Sequence, residues 1–355
     1  MINDRAPAYG LPVLSLVVRK TQLSRWENGH VTPGPDVRRL FRELYGKTNE
    51  QLGFPTEAPA NPLADELTNR LVVARRVDAE TVELFRQQVD GVCHADRRFG
   101  STARLQQLRS HIEEVERHLT HSLLSKHRQP LATILTEAST LAGWNALDSG
   151  SIDEAWRYYS RARSAALESG SASRHAHAVA EQAYVLLEVG DAGNALELLK
   201  EAVDIAGIHT PRLLRAWLNA ALGEAHAIAG DRDSALRAFD RADPLLPVDA
   251  RHPDLPFIFL GGRHLDRWRG NALVHLGEPE AISQLTAVLD FAERHPSFVR
   301  ANAGLLVDLA LAHAAAGERD AAMSYAQQAR RIIQQVGSIR LRRRLERLSF
   351  PLHAA

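Results

Sequence analysis

The chain has 355 residues, 45% hydrophobic and 6% aromatic, and its 43 basic residues are matched by 43 acidic ones. The length suggests about two domains, and the even charge excludes a chain-wide field directed at nucleic acid or an anionic surface. Cys93 is the only cysteine, which excludes an intrachain disulfide and a thiolate zinc site. Strand signals are scarce, so an all-α fold is expected. The apolar run Leu11 to Val18 is short, lacks a basic segment before it and is followed by Arg19-Lys20, unlike a secretory signal. No stretch approaches the length of a membrane span, and a cytoplasmic location is the expectation.

In chain order, Pro7, Gly10 and Pro12 break any helix in residues 1–18, leaving Val13–Val18 as a weak, β-branched segment. Thr21 to Gly29 then reads as a helix. Leu23 and Trp26 share its packing face, while Gln22 and Arg25 point away from it. Asn28-Gly29 supplies a left-handed stop. After Pro33 and Pro35, Val37 to Tyr45 forms a second helix with Val37, Leu40, Phe41 and Leu44 as its apolar stripe, ended by Gly46. Thr48-Asn49-Glu50-Gln51 is a capping-box opening for a short last element, closed at Leu52-Gly53-Phe54. Between Arg19 and Lys47, seven basic residues face three acidic ones, enough to seat on phosphates.

That order of elements, with Leu23-Ser24-Arg25-Trp26-Glu27-Asn28-Gly29, Thr32-Pro33 and Glu50-Gln51-Leu52-Gly53-Phe54, resembles the second half of a Cro/repressor-like, Xre-type helix-turn-helix domain. A complete domain of that kind has two helices before the recognition helix, so residues 1–54 are expected to be a partial, truncated one. The resemblance implies double-stranded operator DNA as a partner. Gln22 and Arg25 would face the major groove, Thr21 and Ser24 would lie near the backbone, and Arg19, Lys20, Arg38 and Arg39 would be candidates for phosphate contact. A homodimer is implied, because one short helix reads too few bases.

Residues 55–62 form a proline-rich linker and 63–140 a helical connector. Within the connector, Leu105, Leu108, Ile112, Val115 and Leu119 keep a three-and-four rhythm suited to pairing with a helix of the same chain or of a second protomer. His111, Glu114, His118 and His121 share that helix, but no His-Glu-x-x-His word occurs, and they read as a seam-edge stripe. Neither metal nor cofactor is expected. There is no phosphate-binding glycine loop or nucleophile elbow, so no enzyme is visible.

From 141 to 336 the chain repeats. Gly150, Gly190, Gly230, Gly277 and Gly317 mark equivalent turns. Seven residues before each stands Gly143, Ala183, Gly223, Gly270 or Ala310. After each turn come Ala155, Ala195, Ala235, Ala281 and Ala322, and then Ala162, Ala202, Ala242, Val288 and Ala329. Small residues at fixed offsets let paired helices approach, and this is the pattern of tetratricopeptide repeats. The expected fold is therefore a partial helix-turn-helix domain followed by an α-solenoid of tetratricopeptide-like helical hairpins. The loop Asp243–Phe257 interrupts the array, and 337–355 is a basic capping helix and tail.

Asp96-Arg97-Arg98-Phe99-Gly100 and Leu141-Ala142-Gly143-Trp144 resemble words in actinobacterial Xre-type regulators that carry a tetratricopeptide region. The resemblance implies a transcriptional regulator whose repeats bind a signal (a peptide, small molecule or protein) and adjust DNA binding. The alternative is a repeat scaffold for protein or peptide that has lost DNA binding. The first helix of each hairpin is expected to line the concave side. Asn145, Gln182, Asn219, His226, Arg269, Asn271 and His313 would then form a polar groove for a peptide or extended segment, with the proline loop near its edge.

Overall fold

The computed structural model describes residues 2–54, 62–74, 77–100, 104–249, 252, 254–261, 263–294 and 298–348. Among them lie seventeen α-helices and no strand. The chain divides into two compact units, Met1–Asn69 and Arg70–Ala355. No helix among the described residues is long and apolar enough to cross a membrane.

The first unit opens with α1 (Ile2–Arg5) and a 3-10 turn at Ala6–Tyr9. Helix α2 (Leu16–Glu27) begins where Ser15 Oγ accepts from the Val18 amide. It is a single helix that takes in the end of the weak apolar segment, Leu16-Val17-Val18, together with Thr21–Glu27. Only Arg19-Lys20 separates Val18 from Thr21, and neither residue makes a turn. Helix α3 (Pro35–Tyr45) starts on proline and stops at left-handed Gly46. Leu40 is fully buried. Phe41 meets Trp26 edge-on at 6.0 Å and Phe54 at 5.7 Å, so α2 touches α3 through this ring contact, while α3 packs on α1 and the Ala6–Tyr9 turn. Gln51 Oε1 accepts from the Thr48 amide at 3.1 Å and Thr48 Oγ1 from the Gln51 amide at 3.3 Å, a reciprocal cap. Of the expected linker, residues 55–61 lie outside the described residues, and α4 (Pro62–Ala74) follows.

In the second unit α5 (Ala79–Phe99) and α6 (Arg104–His121) precede five hairpins. These pair α7 (Ser125–Asp148) with α8 (Ile152–Ser169), α9 (Ala172–Glu188) with α10 (Ala192–Ala206), and α11 (Arg212–Ile228) with α12 (Arg232–Ala242). Then α13 (Arg263–Leu276) pairs with α14 (Glu280–Arg294), α15 (Val299–Ala315) pairs with α16 (Arg319–Val336), and α17 (Ile339–Glu346) ends the array. The apolar seam of α6 is taken up within the chain: Leu108, Ile112 and Val115 are buried in the core shared with α7. His111 packs edge-on against Phe85 at 5.6 Å, and burial holds its imidazole below the ordinary value, in the neutral form. Among the described residues no three His, Cys, Asp or Glu side chains gather as a metal site.

The hairpins close on their small residues. A Cβ at Gly143 would come within 2.7 Å of the Tyr159 ring, at Gly223 within 2.6 Å of Phe239, and at Gly270 within 2.5 Å of Leu285. Where the first helix carries alanine instead, at Ala183 and Ala310, the equivalent partner position holds Leu199 or Ala326; rings stand only opposite Gly143 and Gly223. All five turn glycines have positive φ, from 71° to 86°, so an L side chain there would be strained.

The array does not simply end at α17. That helix packs on α15 and α16 and also reaches back to α7, while α5 packs against α15. Gly100, just past α5, lies so close to the end of α16 that a Cβ would strike the Val336 carbonyl oxygen. Helices α7 and α15 are consequently buried on nearly every side.

Gly223→Ala is expected to destabilise the protein by about 1–3 kcal/mol, and Gly223→Leu by more, because the Phe239 ring is wholly buried and has nowhere to move. Urea unfolding of the purified protein measures this. A variant as stable as the parent would refute the packing register.

Candidate functional site

The first helices of the hairpins, with α5, α17 and the segment before α13, line a half-open cavity of about 310 Å³. Aromatic side chains furnish much of its wall. Trp217 lies 6.1 Å from Trp268 and 6.2 Å from Tyr184, and Phe259 stacks obliquely on Phe298 at 4.8 Å. Trp144 carries two guanidinium groups over its ring, Arg340 at 5.3 Å and Arg300 at 5.9 Å.

Five arginines and five carboxylates line the same space. Arg300 makes a bidentate pair with Asp96, at 2.8 and 2.9 Å, and its Nε lies 3.0 Å from Asp148 Oδ2. Although burial opposes it, pairing with Asp148 and Asp96 holds the Arg300 guanidinium above the ordinary arginine value. Ser338 Oγ donates to Asp148 at 2.6 Å, which ties the start of α17 to the end of α7. Arg340 donates to Glu188 at 3.2 Å and Arg344 to Asp308 at 2.7 Å, and Asn271 shares Asp308 at 3.0 Å. Arg97 donates to the Pro256 carbonyl at 2.8 Å. Tyr184 donates to Glu224, and Tyr159 donates to Glu181, each at 3.1 Å. Burial pushes the Cys93 thiol up to about 11, so at this wall it is a neutral, apolar group.

Arg267 differs from the rest. No carboxylate lies within ion-pair distance of it among the described residues, and its Nε is buried with no hydrogen-bond partner. Burial pulls its pKa below the ordinary arginine value, with Asp308 and then Glu224 opposing from farther away.

Of the seven groove residues expected from sequence, the structure brings only Asn271 to this cavity. Asn145 is buried and donates to its own helix at the Leu141 carbonyl, 2.8 Å. Gln182 bridges Arg163 and Ser160, Asn219 accepts from Arg241, and Arg269 pairs with Asp240 at 2.7 Å. His226 faces Asp231, while His313 bonds Glu318 at 2.6 Å and stacks on Tyr325. Of these six, all but Asn145 turn toward the second helices and the turns.

The periodicity explains the difference. Most cavity residues stand six before the small packing residue (Trp217, His264, Gly304), two or three before it (Leu141, Glu181, Trp268, Asp308, Thr140, Arg267), one after it (Trp144, Tyr184, Glu224, Asn271) or five after it (Asp148), with Arg300 and Ala301 a turn earlier on α15. Those steps of three and four trace one helix face, whereas positions two or three after, or one or four before, fall on the other side. Phe257 and Phe259 also line the cavity, from the proline-interrupted segment, of which residues 250, 251 and 253 lie outside the described ones.

In the first unit Lys20, Thr21, Ser24 and Arg25 are exposed on α2. Arg19 is not. It is 7% exposed, with Nε donating to Asn3 at 3.0 Å, Nη2 to the Pro12 carbonyl at 2.9 Å and Nη1 to Gln22 at 3.4 Å. The guanidinium holds the opening turns onto α2 and is not presented to a phosphate, and Gln22 is half-buried beside it. Arg38 is half-buried, and Arg39 is exposed with Glu43 at 3.7 Å.

No protein-family model and no curated protein sequence matches the chain. Among solved structures it is similar to aspartyl phosphate phosphatase F from Bacillus subtilis, at 12% identity and a TM-score of 0.52, over 82% of this chain and 71% of that one. A Rap protein complexed with competence and sporulation factor gives 15% identity and a TM-score of 0.48, over 89% and 73%. A kinesin light chain with TPR-like repeats from Podosopora anserina gives 18% and 0.38, over 58% and 97%. At such identities the likeness is one of fold: an all-α chain built on a solenoid of tetratricopeptide-like hairpins.

Arg300→Met is expected to cost about 3–5 kcal/mol, since it removes the bidentate cation from the buried Asp96 and a neighbouring positive charge from Asp148, which keeps the Ser338 hydroxyl. Asp96→Asn should cost less, because Arg300 keeps Asp148. Equal stability of Arg300→Met and the parent in urea unfolding would show that this contact does not hold α5, α7 and α15 together.

Proposed function

We propose that the second unit is a repeat scaffold that binds a small molecule or the end of a short peptide in its cavity. The observation that carries this reading is the cavity itself: a few hundred Å³ is the scale of small-ligand pockets, and an aromatic wall with a few convergent polar groups is their usual make-up. An extended segment needs an open groove along the array, and the inward reach of α17 and of Phe257 and Phe259 favours the smaller ligand. The test is a thermal-shift and tryptophan-fluorescence screen of short peptides and small organic molecules, because Trp144, Trp217 and Trp268 all line the space. A true ligand at about 100-fold excess over its Kd should stabilise the protein by about 2.7 kcal/mol. Ala301→Phe, which fills the cavity, should abolish the shift while keeping the helical content. Binding unchanged in Ala301→Phe would place the ligand elsewhere and sink the reading.

A second reading, DNA binding through α2, is favoured by one specific observation. Lys20 and Ser24, and Thr21 and Arg25, stand four apart and together make a single exposed face. Gel-shift titration on the gene's own upstream DNA tests it. Arg25→Ala should weaken sequence-specific binding by about 1–3 kcal/mol. If the parent protein shifts no DNA, with or without a cavity ligand, the scaffold reading stands alone.

A further inference from the structure

We propose that Arg267 is a carboxylate seat, so that the cavity takes an acid whose aromatic or apolar body lies against Trp217 and Trp268. This rests on the cavity reading given above and names the ligand's chemistry.

Every other arginine on the wall already has an acceptor: Arg97 the Pro256 carbonyl, Arg300 Asp96, Arg340 Glu188 and Arg344 Asp308. Arg267 has none among the described residues, although a guanidinium carries five donors and does not shed its charge. Asp308 and Glu224, the acids whose charge acts most on it, make their own contacts with Arg344, Asn271 and Tyr184 and lie beyond ion-pair distance of Arg267. A half-buried cation with a buried, unpartnered Nε is costly to keep, and a bound anion would reduce the penalty.

There is also room beside it. Arg267 Nη1 lies 3.9 Å from where a Cβ would stand on Gly304, so the absence of a side chain there leaves the fork uncovered. Its sequence neighbour Trp268 faces Trp217 at 6.1 Å, which places an apolar surface next to the charge. A carboxylate suits the fork, because two parallel N–H donors match its two oxygens. A phosphate suits the site less well: Asp96, Asp148, Glu181, Glu224 and Asp308 line the same cavity, and their field opposes a dianion more than a single charge.

The acid has two conceivable sources, a small free acid or the C-terminal residue of a short peptide. Titrations of the full chain by tryptophan fluorescence distinguish them. Phenylacetate and indole-3-acetate represent the first source and N-acetyl dipeptides ending in phenylalanine the second, each run beside its neutral amide, with phenyl phosphate as the dianion. The parent should bind at least one acid about tenfold or more tighter than its amide, the size of effect expected for a charged hydrogen-bond pair. Arg267→Met should abolish that preference while leaving amide binding in place, and Arg267→Lys should restore only part of it. In the ligand-free protein Arg267→Met should raise the thermal midpoint, since it removes an unpaired cation.

Amides binding as well as acids, or an acid preference that survives Arg267→Met, would overturn the carboxylate seat and leave the cavity reading intact. So would a sharp fall in the midpoint of Arg267→Met, which would mark Arg267 as a structural residue. No binding by acid, amide or phosphate, with Ala301→Phe indistinguishable from the parent, would overturn both.

Discussion

Tyr159, Phe239 and Leu285 enter their hairpins because Gly143, Gly223 and Gly270 stand opposite them without a side chain. A pair of helices so matched has one depth of approach and one rotation, since moving either drives a large side chain into backbone. That rotation also decides which side of the first helix is left for the interior. The cavity is thus a consequence of packing on the opposite face. Positions such as Trp144, Tyr184, Glu224 and Asn271, one after the small residue, and Leu141, Glu181, Trp268 and Asp308, two before it, look inward because the small residue looks outward to its own partner helix.

Polar contacts then fix how the array closes. Apolar contacts between α5 and α15, or between α17 and α7, would tolerate small slides, but a bidentate Arg300–Asp96 pair does not. Buried pairs of this kind add little net stability over apolar packing; their effect here is geometric. Arg300 meets Asp96 from α5 and Asp148 from α7, and Ser338 brings α17 to that same Asp148. Three separate stretches of chain therefore meet at one carboxylate, and the wall around Trp144 takes its shape from that meeting.

The hairpins were legible in the sequence because close helix approach demands small residues, and these recur at countable intervals. The cavity face was legible in principle: the same count, extended by steps of three and four, reaches Trp144, Tyr184, Glu224 and Asn271. Choosing polar residues near the packing position, without asking which way they face, reached Asn271 and six residues on the far side. Two words that stood out in the sequence, Asp96-Arg97-Arg98-Phe99-Gly100 and Leu141-Ala142-Gly143-Trp144, each place two residues on the cavity wall: Asp96 and Arg97, and Leu141 and Trp144. What no local pattern contained was the closure. Asp96 and Arg300 are 204 positions apart, Ser338 and Asp148 are 190 apart, and an arginine's lack of a partner is a fact about every element around it.

The first unit shows the opposite case, where local pattern was plain and its use was not. Helices α2 and α3 meet through Trp26 and Phe41, and the capping residues pair as their types require. Yet Arg19, which by residue type suits a phosphate, is taken up by Asn3 and Pro12 in holding the opening turns to α2. The exposed face that remains on α2 carries two cations, Lys20 and Arg25. Two phosphate contacts give a logarithmic salt slope of only about −2, the mark of weak binding at physiological salt. Operator binding through this unit would therefore have to draw on α3 and on a second copy of the chain. The scaffold reading ranks first because the second unit offers a cavity with an aromatic wall and convergent polar groups, whereas the exposed face of α2 offers two cations.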